Sequence, residues 1–595
     1  MSEKLEALRR LMAREGMDAY IVPTADCHES EYVGAHFKAR AYLTGFTGSA
    51  GVAVAMMDDA GMWTDGRYFI QAAAQLEGSG FRLMKMSEPG VPTVEEYLAQ
   101  KLPKGDTLGF DGRVVYTGMV KKLQKVLADK EITFAADKDL VGEIWQDRPA
   151  LSAQPAFRLK LSEAGVSTAD KVKGLREDMA REGATVMLLP GLDDVAWLLN
   201  IRGGDIDYNP YLLAFAAVEQ QKVTLFAQAA ALSDEVVESL RADGVDVMPY
   251  EGFYDYIAGI PDGACVWIDT NKLNYAAYTR IPAGAKILDK QSPVTLKKAI
   301  KNATEIANTR NAHIKDGVAY TKFLYWLKQN IGKMEMDEIV ASDYLEARRA
   351  EQEGFLELSF DTICAYNENA AMMHYSAKPG SAAKLEPRGF LLVDSGGTYL
   401  DGTTDITRTI ALGDMPKEWK EHYTATLRGM INLSRAHFLY GCRGINLDIL
   451  ARGPLWDVGI DYKCGTGHGV AHIGGVHEPP NGFRWRIVPE RNDSCVLEEG
   501  MITTDEPGVY IEGSHGIRIE NELLCVKGEA NEYGQFMHFE TLTFAPIDLA
   551  PVLPEMMTAA ERAFLNAYHE AVYEKLSPYL SEEEKVWLRQ ETRAI

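Results

Sequence analysis

The sequence predicts an α/β (α+β) protein in which two related N-terminal α/β domains precede a larger C-terminal domain. At 595 residues the chain exceeds the roughly 100–200 residues of one domain. The stretch MAREGMDAYIVPTAD at Met12–Asp26 resembles MAREGATVMLLPGLD at Met179–Asp193, so one helix-then-strand unit occurs twice. From Phe390 onward short strands alternate with glycine pairs, and a helical tail begins at about Thr558.

Both copies of the repeated unit carry the same boundary signals. The amphipathic helix is predicted to end at a glycine, Gly16 or Gly183, which suits the left-handed residue after a helix. The apolar run that follows is predicted to be a strand and stops at a proline, Pro23 or Pro190. The pieces AYLTGFTGSAG and AWLLNIRGGD then recur in the same order, which a chance likeness of one short stretch would not explain. We therefore expect the two domains to share one fold.

Two breaks in the pattern set the expected domain boundaries. Residues 153–160 are polar and contain Pro155, and residues 290–293 form a second break. The run LKKAIKNATEIANTRNAHIKDGVAYTKFLYWLKQN that follows has apolar residues at helical spacing and predicts long helices. We expect domains at 1–152, 153–292 and 293–595, with no low-complexity linker between them.

Charge and cysteine content exclude several classes of function. The chain has 86 acidic and 62 basic residues, a formal net charge of −24, so it has no general attraction for phosphate backbones or anionic lipids. No stretch reaches the roughly 18 apolar residues of a membrane span, and we expect no nucleic-acid and no membrane partner. Seven scattered cysteines without a CxxC pair argue against disulfides and against a thiolate zinc site. We expect a cytoplasmic protein whose metals are held by oxygen and nitrogen.

The stretch FLLVDSGGTYLDGTTDITRTI, residues 390–410, carries two aspartates beside glycine turns. Asp394 ends an apolar strand, where an aspartate also commonly starts a turn. A second strand is predicted from Thr403, and alternation places Asp405 in the middle of it, on the face of Thr407. Aspartate is depleted from strands, and an unpaired buried carboxylate costs several kcal/mol as an order of magnitude. Asp405 therefore predicts a bound cation or a dense hydrogen-bond shell.

Three histidines, His468, His472 and His477, lie in the glycine-rich segment YKCGTGHGVAHIGGVHEPP. His468 and His472 have the i, i+4 spacing of half a zinc helix, but the glycines disfavour a helix and no HExxH occurs. GTGHG has neither a Walker pattern nor a complete dinucleotide fingerprint around it. Each histidine alone also fits an ordinary structural role, whereas the glycines favour close approach of the backbone to a site.

Two later glutamates complete the set of candidate ligands. Glu506 lies in MITTDEPGVY, and Glu520 lies in GIRIENELLCV, where alternation puts Arg518, Glu520 and Glu522 on one strand face. An exposed strand face with an Arg518–Glu520 ion pair is the alternative explanation for the second motif. Glu506 precedes a proline and also fits a turn, and Asp505 beside it is a rival ligand.

Asp394, Asp405, His468, Glu506 and Glu520 together supply four carboxylates and one imidazole. One cavity holds that much negative charge only with cations, and two divalent ions would balance it. The oxygen-rich set suits Mn²⁺, with Co²⁺ or Zn²⁺ as alternatives, rather than a metal that prefers thiolates. Carboxylates bridge ions about 3.5–4 Å apart, and such a pair activates a bridging water. The five residues lie on separate strands, so their convergence is an expectation.

The order and spacing of the motifs resemble those of the pita-bread metallopeptidases, and most of all the three-domain cytosolic type of Xaa-Pro aminopeptidase (aminopeptidase P). The motifs are HYS at His374, VDSGGTYLDGTTDITRT, GTGHG with VHEPP, TDEPGVY and GIRIEN. HESEY at His28, TDGRYFIQA at Thr64 and the terminal WLRQETRAI extend the resemblance over essentially the whole chain. It implies two creatinase-like N-terminal domains, a pita-bread catalytic domain and a helical tail.

The resemblance also implies roles for the candidate ligands. Asp394 would chelate one ion, and His468 and Glu506 would bind the other. Asp405 and Glu520 would bridge the two ions. Glu506 is in addition the residue expected to take a proton from the attacking water and to return it to the leaving nitrogen.

Further residues are implied to contact substrate. His374 and His477 resemble two outer histidines that touch the scissile peptide, and Tyr510 and Arg518 match residues that line the proline pocket. Arg67 resembles an arginine that reaches the substrate channel, in the partner subunit of a homodimer. One departure is Cys464, which stands where cytosolic relatives often carry a histidine.

The function implied by the resemblance is that of a dinuclear-metal aminopeptidase. It would remove the first residue from Xaa-Pro-Yaa peptides by attack of a metal-bridging hydroxide on the Xaa-Pro bond. That bond is a tertiary amide without an N–H, so peptidases that bind an extended N–H fail there. A proline-shaped pocket and a positioned nucleophile avoid the missing donor.

Three other functions compete with this one. A prolidase, which cleaves only Xaa-Pro dipeptides, usually lacks one N-terminal domain, so the repeated unit argues for the longer enzyme. Metal-free hydrolysis of the creatinase type is disfavoured because all five ligands are present. A non-catalytic pita-bread interaction protein would have lost ligands and often carries charged tails, and neither feature occurs here.

Overall fold

A computed structural model describes residues 2–488 and 492–595 of the chain, which divide into two units. The first unit contains Met1–Lys160 and Val166–Val294, and the second contains Leu161–Gly165 and Thr295–Ile595. The first unit holds two six-stranded sheets, and the second holds the segments that carry the candidate ligands. We retain 1–152, 153–292 and 293–595 as proposed domain boundaries.

The first sheet has six strands in the order β4-β3-β2-β1-β5-β6. Its strands are β1 (Ala19–Pro23), β2 (Val52–Met56), β3 (Ala60–Thr64), β4 (Arg82–Lys85), β5 (Thr107–Phe110) and β6 (Thr133–Ala135). Its helices are α1 (Glu3–Glu15), α2 (Ala39–Thr44), α3 (Phe69–Gln75), α4 (Val94–Lys101), α5 (Thr117–Val126) and α6 (Leu140–Ile144). Alternate residues of β1 enter different apolar clusters, Tyr20 on one face and Ile21 on the other, so both faces of the sheet are covered.

The second sheet repeats the first, with the strand order β12-β11-β10-β8-β13-β14. The strands of this domain are β7 (Phe157–Arg158), β8 (Val186–Leu189), β9 (Ile201–Arg202), β10 (Ala214–Glu219), β11 (Val223–Ala227), β12 (Val245–Pro249), β13 (Cys265–Ile268) and β14 (Lys286–Asp289). The helices along this stretch are α7 (Leu161–Ala164, part of the second unit), α8 (Thr168–Glu182), α9 (Leu192–Leu198), α10 (Asp234–Ala242), α11 (Gly252–Ala258) and α12 (Tyr275–Tyr278).

The predicted repeat is confirmed by the local geometry as well as by the sheet order. Helices α1 and α8 end at Gly16 and Gly183, which adopt left-handed φ angles of 68° and 71°. The central strand of each sheet pairs antiparallel on one side and parallel on the other, as β1 does with β2 and β5, and β8 with β10 and β13. The two N-terminal domains therefore share one topology.

Equivalent segments of the two repeats also bind each other reciprocally. Just after β5, the Thr117 N–H donates to the Leu273 carbonyl at 2.9 Å. Just after the equivalent strand β13, the Tyr275 N–H donates to the Val115 carbonyl at 2.9 Å. Each repeat thus donates and accepts with the same positions, as two subunits do across a two-fold axis.

The second unit begins with long helices and continues with antiparallel sheets. Its helices are α13 (Pro293–Ala299), α14 (Ala303–Asn330), α15 (Glu338–Ala350), α16 (Lys417–Ser434), α17 (Gly444–Trp456), α18 (Ala559–Leu576) and α19 (Glu582–Glu591). Its strands are β15 (Phe355–Leu358), β16 (Ile363–Tyr366), β17 (Phe390–Ser395), β18 (Gly397–Tyr399), β19 (Gly402–Thr403), β20 (Ile406–Ala411), β21 (His437–Leu439), β22 (Gly467–Gly469), β23 (Glu478–Phe483), β24 (Ile502–Asp505), β25 (Gly508–Ile511), β26 (His515–Arg518), β27 (Asn521–Asn531) and β28 (Gly534–Thr541).

Two sheets form the core of this unit, in the orders β16-β17-β20 and β21-β28-β27-β24-β22-β23. Helices α14 and α15 pack on the first sheet through an apolar cluster that includes Phe323, Leu345 and Leu391. The predicted helical tail is confirmed, since Thr558 caps α18 with its side chain, which accepts from the Glu561 N–H. The mixed architecture confirms the predicted fold class.

The strand prediction around the aspartates was wrong in one respect. Asp405 does not lie in the middle of a strand but in a break between β19 and β20. Its N–H donates to the side chain of Glu522 at 2.7 Å and not to a backbone carbonyl of a strand ladder. Glu520 lies in a second break, between β26 and β27. A break frees the carboxylate from the regular alternation of the strand and lets it turn into the site.

Two negative expectations concern the chain as a whole. Among the described residues, no helix combines the length and the apolar character that crossing a bilayer requires. All seven cysteines lie in the described ranges, and each is a free thiol.

Candidate metal centre

Five separate segments of the second unit supply the predicted ligands. Asp394 lies in β17, and Asp405 directly precedes β20. His468 is the central residue of β22, and Glu506 directly follows β24. Glu520 joins β26 to β27. The glycines around His468 put it in an extended strand, as expected, and not on a helix.

The structure brings these side chains together. Ligand atoms of Asp405, His468 and Glu520 all lie within 4.8 Å of one another. His468 Nε2 is 3.6 Å from Asp405 Oδ2 and 3.3 Å from Glu506 Oε1. Asp394 lies close enough to act on this group electrostatically, because its charge contributes to raising the pKa values of Asp405 and Glu520.

The cluster has the electrostatics of a cation site. Asp394, Asp405 and Glu520 are 7%, 5% and 1% exposed. Burial, followed by the charges of the neighbouring carboxylates, raises the pKa values of Asp405 and Glu520 well above their ordinary values. Asp394 Oδ1 and Glu520 Oε1 are buried and accept no hydrogen bond from the described residues. Unpartnered carboxylate oxygens in a buried acidic cluster fit divalent cations, which prefer oxygen ligands.

Glu506 differs from the other carboxylates of the cluster. Burial raises its pKa, but the hydrogen bond to His468 and the charges of His468 and Arg518 outweigh that effect, so the pKa lies below its ordinary value. Its side chain is 19% exposed, more than that of Asp394 or Asp405. Glu506 is therefore an ionised carboxylate that solvent or substrate can reach.

Glu522 and Thr407 hold the carboxylate-bearing residues of the two strand breaks in place. The sequence alone assigns neither of them a role. Glu522 is fully buried and accepts the Asp405 N–H through Oε1. Thr407 donates its hydroxyl to Glu520 Oε2 at 2.6 Å. In the sequence, strand alternation places Glu522 on the same face as Glu520 and Thr407 on the same face as Asp405. That shared face is the one local signal that these two residues lie near the site. Their hydrogen-bond partners, however, lie more than 100 residues away in sequence.

Arg518 connects the acidic cluster to the candidate substrate residues. It donates to Asp394 Oδ2 through Nε at 3.1 Å and through Nη2 at 2.5 Å. Its Nη1 donates to the Tyr510 hydroxyl at 2.7 Å, so these two residues of the β25–β26 hairpin lie together. Its Nη2 also donates to the Met373 carbonyl at 3.4 Å, next to His374. Buried at 4% exposure, Arg518 partly offsets the negative charge.

The three histidines of the glycine-rich segment have different surroundings. The ring of His477 lies perpendicular to that of His468, with the centroids 4.3 Å apart, and its charge lowers the pKa of Glu506. His472 instead lies between α14 and the segment 161–165, where its Nε2 is 2.9 Å from the Glu163 carbonyl oxygen. His472 therefore has a structural role.

The rival ligand Asp505 has a partner of its own. It is fully buried, and its Oδ2 accepts the Ser434 hydroxyl of α16 at 2.9 Å. It does not belong to the group of ligand atoms within 4.8 Å. Cys464 packs in the same apolar cluster as Tyr510, and burial raises the pKa of its thiol to about 11. That thiol is protonated and weakly nucleophilic at neutral pH.

Arg67 belongs to the first unit. Its guanidinium donates to both oxygens of Asp65, at 2.9 and 2.8 Å, and its Nη1 is 3.8 Å from Glu31 Oε1. The side chain is 12% exposed. Its expected place in a substrate channel stays a prediction.

Comparison with known families agrees with this architecture. Family models described as "Creatinase/Prolidase N-terminal domain" match residues 4–141 and 147–305. The model for "Metallopeptidase family M24" matches residues 307–527, and that for the "C-terminal region of peptidase_M24" matches residues 535–595. The M24 match contains all five candidate ligands.

Full-length relatives and a solved structure are also similar to the chain. "Xaa-Pro aminopeptidase 1" of Dictyostelium discoideum is 38% identical over 98% of this chain and 94% of its own length. "Aminopeptidase P1" of Arabidopsis thaliana is 36% identical over 100% of this chain and 99% of its own length. The crystal structure of an X-prolyl aminopeptidase from Caenorhabditis elegans, described as a cytosolic enzyme with a di-nuclear active site, superposes with a TM-score of 0.94 at 33% identity. That match covers 100% of this chain and 99% of the nematode chain. The chain therefore belongs to the aminopeptidase P group of the M24 metallopeptidase family.

Proposed function

We propose that this protein is an Xaa-Pro aminopeptidase, which releases the first residue of peptides that carry proline at the second position. The observation that carries the proposal is that ligand atoms of Asp405, His468 and Glu520 lie within 4.8 Å of one another in a chain that matches the M24 family. The names of the full-length relatives support the substrate class. The di-nuclear site described for the nematode enzyme supports two divalent ions.

The proposed ligands of the two ions are Asp394, Asp405, His468, Glu506 and Glu520. When bound, the ions would polarise the scissile carbonyl and make a water molecule nucleophilic at neutral pH. The four carboxylates and one imidazole suit Mn²⁺, with Co²⁺ and Zn²⁺ as alternatives. The unpartnered oxygens of Asp394 and Glu520 support this assignment.

Glu506 is the proposed proton carrier. Its carboxylate is ionised and partly exposed, so it can accept the proton of the attacking water. The same carboxyl group can then donate that proton to the proline nitrogen as the bond breaks. This donation matters because the departing proline nitrogen is a poor leaving group unless it is protonated.

Four further residues are proposed to bind the peptide. His374 and His477 would donate to the scissile carbonyl as negative charge develops on its oxygen. Tyr510 and Arg518 would form the wall of the proline pocket, and the hydrogen bond between them supports a fixed wall. A rigid pocket for the ring replaces the N–H contact that proline lacks.

Arg67, the dimer and the location complete the proposal. We propose a cytoplasmic homodimer in which Arg67 reaches the substrate channel of the partner. The cytosolic description of the nematode enzyme supports the location. Ile449 and Trp456 of α17 and Val458 just after that helix are 47%, 43% and 42% exposed, which supports burial of these side chains by a second copy. Light scattering that gives the mass of one chain would contradict the dimer.

Mass spectrometry of three peptides tests the proposed activity. The protein loaded with Mn²⁺ is incubated with an Xaa-Pro dipeptide, an Xaa-Pro-Yaa peptide and its Xaa-Ala-Yaa counterpart. We expect release of the first residue from the Xaa-Pro-Yaa peptide and none from the alanine peptide. Asp405→Asn should abolish that release, whereas Asp401→Asn, which alters a nearby aspartate paired with Lys315, should retain it.

The other outcomes identify the competing functions. Cleavage of the dipeptide alone would identify a prolidase. Absence of cleavage with Mn²⁺, Co²⁺ and Zn²⁺ would favour a non-catalytic interaction protein and would contradict the proposal.

A further inference from the structure

Glu338 is a buried carboxylate at the start of α15 that the reaction proposed above does not use. It is 0% exposed and accepts four hydrogen bonds. Its Oε1 accepts the Tyr366 N–H at 2.7 Å and the Asn369 amide at 2.9 Å. Its Oε2 accepts the Tyr375 hydroxyl at 2.8 Å and the Ala383 N–H at 2.8 Å. All the lone pairs of the carboxylate are thereby satisfied.

The four donors lie on both sides of His374. Tyr366 and Asn369 precede it, and Tyr375 and Ala383 follow it. We call residues 367–383 the His374 loop. Within it, residues 378–381 are exposed, so packing contributes little to holding that part of the loop in place.

Only a carboxylate can accept from all four donors at once. A glutamine would present its amide N–H₂ to two of them and lose those bonds. Burying a carboxylate is costly, and hydrogen bonds to an ionised acceptor are roughly twice as strong as neutral ones. The strength of the four hydrogen bonds to Glu338 thus depends on the charge of its side chain as well as on its shape.

The loop is also fixed from the side of the acidic cluster. Arg518, which holds Asp394, donates to the Met373 carbonyl at 3.4 Å. The residue before His374 therefore contacts Arg518, and the residue after it, Tyr375, contacts Glu338. His374 is held between these two contacts.

We propose that Glu338 is a positioning residue that holds His374 in place to contact the scissile peptide. The inference rests on the role of His374 in the proposed function. Glu338 does not touch the substrate, since it is fully buried behind the loop. Its effect on the reaction must therefore pass through His374.

A double-mutant cycle on the full chain tests the inference. Glu338→Gln, His374→Ala and the double variant are loaded with Mn²⁺, and kcat and KM are measured on an Xaa-Pro-Yaa peptide. We expect Glu338→Gln to lower kcat at least tenfold with unchanged metal content, and to cause no further loss in the His374→Ala background. The matched control is Glu346→Gln, an exposed glutamate on the same helix, which should match the wild type. Equal losses in both backgrounds, or a wild-type kcat for Glu338→Gln, would overturn the inference.

Two further measurements keep the outcome decisive. Hydrogen–deuterium exchange of residues 367–383 should be faster in Glu338→Gln than in Glu346→Gln, and unchanged exchange would overturn the inference whatever the activity. Tyr375→Phe removes one of the four bonds and takes the place of Glu338→Gln in the cycle if that variant fails to fold. A wild-type protein that leaves the peptide intact would instead contradict the proposed function, and the exchange measurement would then still show whether Glu338 holds the His374 loop in place.

Discussion

Asp405 and Glu520 show how carboxylates that are far apart in the sequence come to lie in one cluster. Both lie in strand breaks, and both are held by a hydrogen bond, Asp405 through its N–H and Glu520 through Oε2. Glu522 accepts the Asp405 N–H and Thr407 donates to Glu520 Oε2, so Glu520 Oε1 is left for a cation. Such supporting partners typically change metal affinity by about 10- to 100-fold when they are removed.

Thr407→Val tests this support directly. The substitution keeps the shape of the side chain but removes the hydroxyl that donates to Glu520 at 2.6 Å. We expect the affinity of the apoprotein for Mn²⁺, measured by titration calorimetry, to fall about tenfold. Thr426→Val is the control, because the hydroxyl of Thr426 donates to the His422 carbonyl of its own helix. An affinity equal to that of the wild type would show that Thr407 does not support the site.

The candidate ligands could be proposed from sequence because each stands in a motif that local rules single out, such as an aspartate near a strand or a histidine among glycines. The family resemblance was needed to choose among the rivals, such as Glu506 over Asp505. The supporting residues of the ligands could not be proposed from sequence. Glu338 bonds to residues from 28 to 45 positions away, and Glu522 bonds to Asp405 across 117 positions. No local periodicity reports contacts at such separations, and only the fold brings these groups together.

Helices α14 and α15 form a pair that supports the sheet carrying Asp394. A buried ion pair joins them in addition to their apolar contacts, and in it Arg349 donates to Asp316 at 2.7 and 3.1 Å. Tyr399 donates to the same carboxylate at 2.8 Å. Arg349 and Asp316 are 0% and 3% exposed, so neither charge can be hydrated if the other is removed.

Arg349→Met is therefore expected to destabilise the second unit by about 3–5 kcal/mol, because it leaves the Asp316 charge buried and unpaired. The measurement is the urea midpoint of that unit's unfolding transition. Arg348→Met, at the neighbouring and more exposed position, should change stability by less than about 1 kcal/mol. Adding Asp316→Leu to Arg349→Met should recover part of the loss, since both charges are then gone. A double variant less stable than Arg349→Met would contradict this explanation.

The whole molecule joins a repeated N-terminal fold to one catalytic unit. The repeat was predictable because helix caps and proline stops are local signals, and the shared strand order agrees with them. The reciprocal hydrogen bonds between the two repeats could not be predicted, since nothing in either segment alone indicates its partner. They join Thr117 to Leu273 and Tyr275 to Val115. The formal charge of −24 is carried mainly by other residues than the four carboxylates of the cluster.

The stability of the second unit should depend on pH through His569. Burial, followed by the charges of Arg408 and Arg593, lowers the pKa of this histidine to about 3. The folded protein thus keeps the ring neutral while the unfolded chain binds a proton below pH 6.5, so stability present above pH 6.5 is lost as the pH falls toward 3.

We expect this one histidine to cost about 2 kcal/mol of stability between pH 7 and pH 5. His569→Gln should reduce the pH dependence of the urea midpoint, because glutamine does not titrate and can still accept the Ile547 N–H. His437→Gln, which alters an exposed histidine, should leave that pH dependence unchanged. Equal pH dependence in the wild type and His569→Gln would contradict the assignment.

Anomalous X-ray scattering at the manganese edge, from crystals grown with Mn²⁺, tests the central claim most directly. We predict two anomalous peaks, one beside Asp394 and the other beside His468 and Glu506, with Asp405 and Glu520 next to both. A single peak, or peaks away from these five residues, would contradict a two-ion centre at this site.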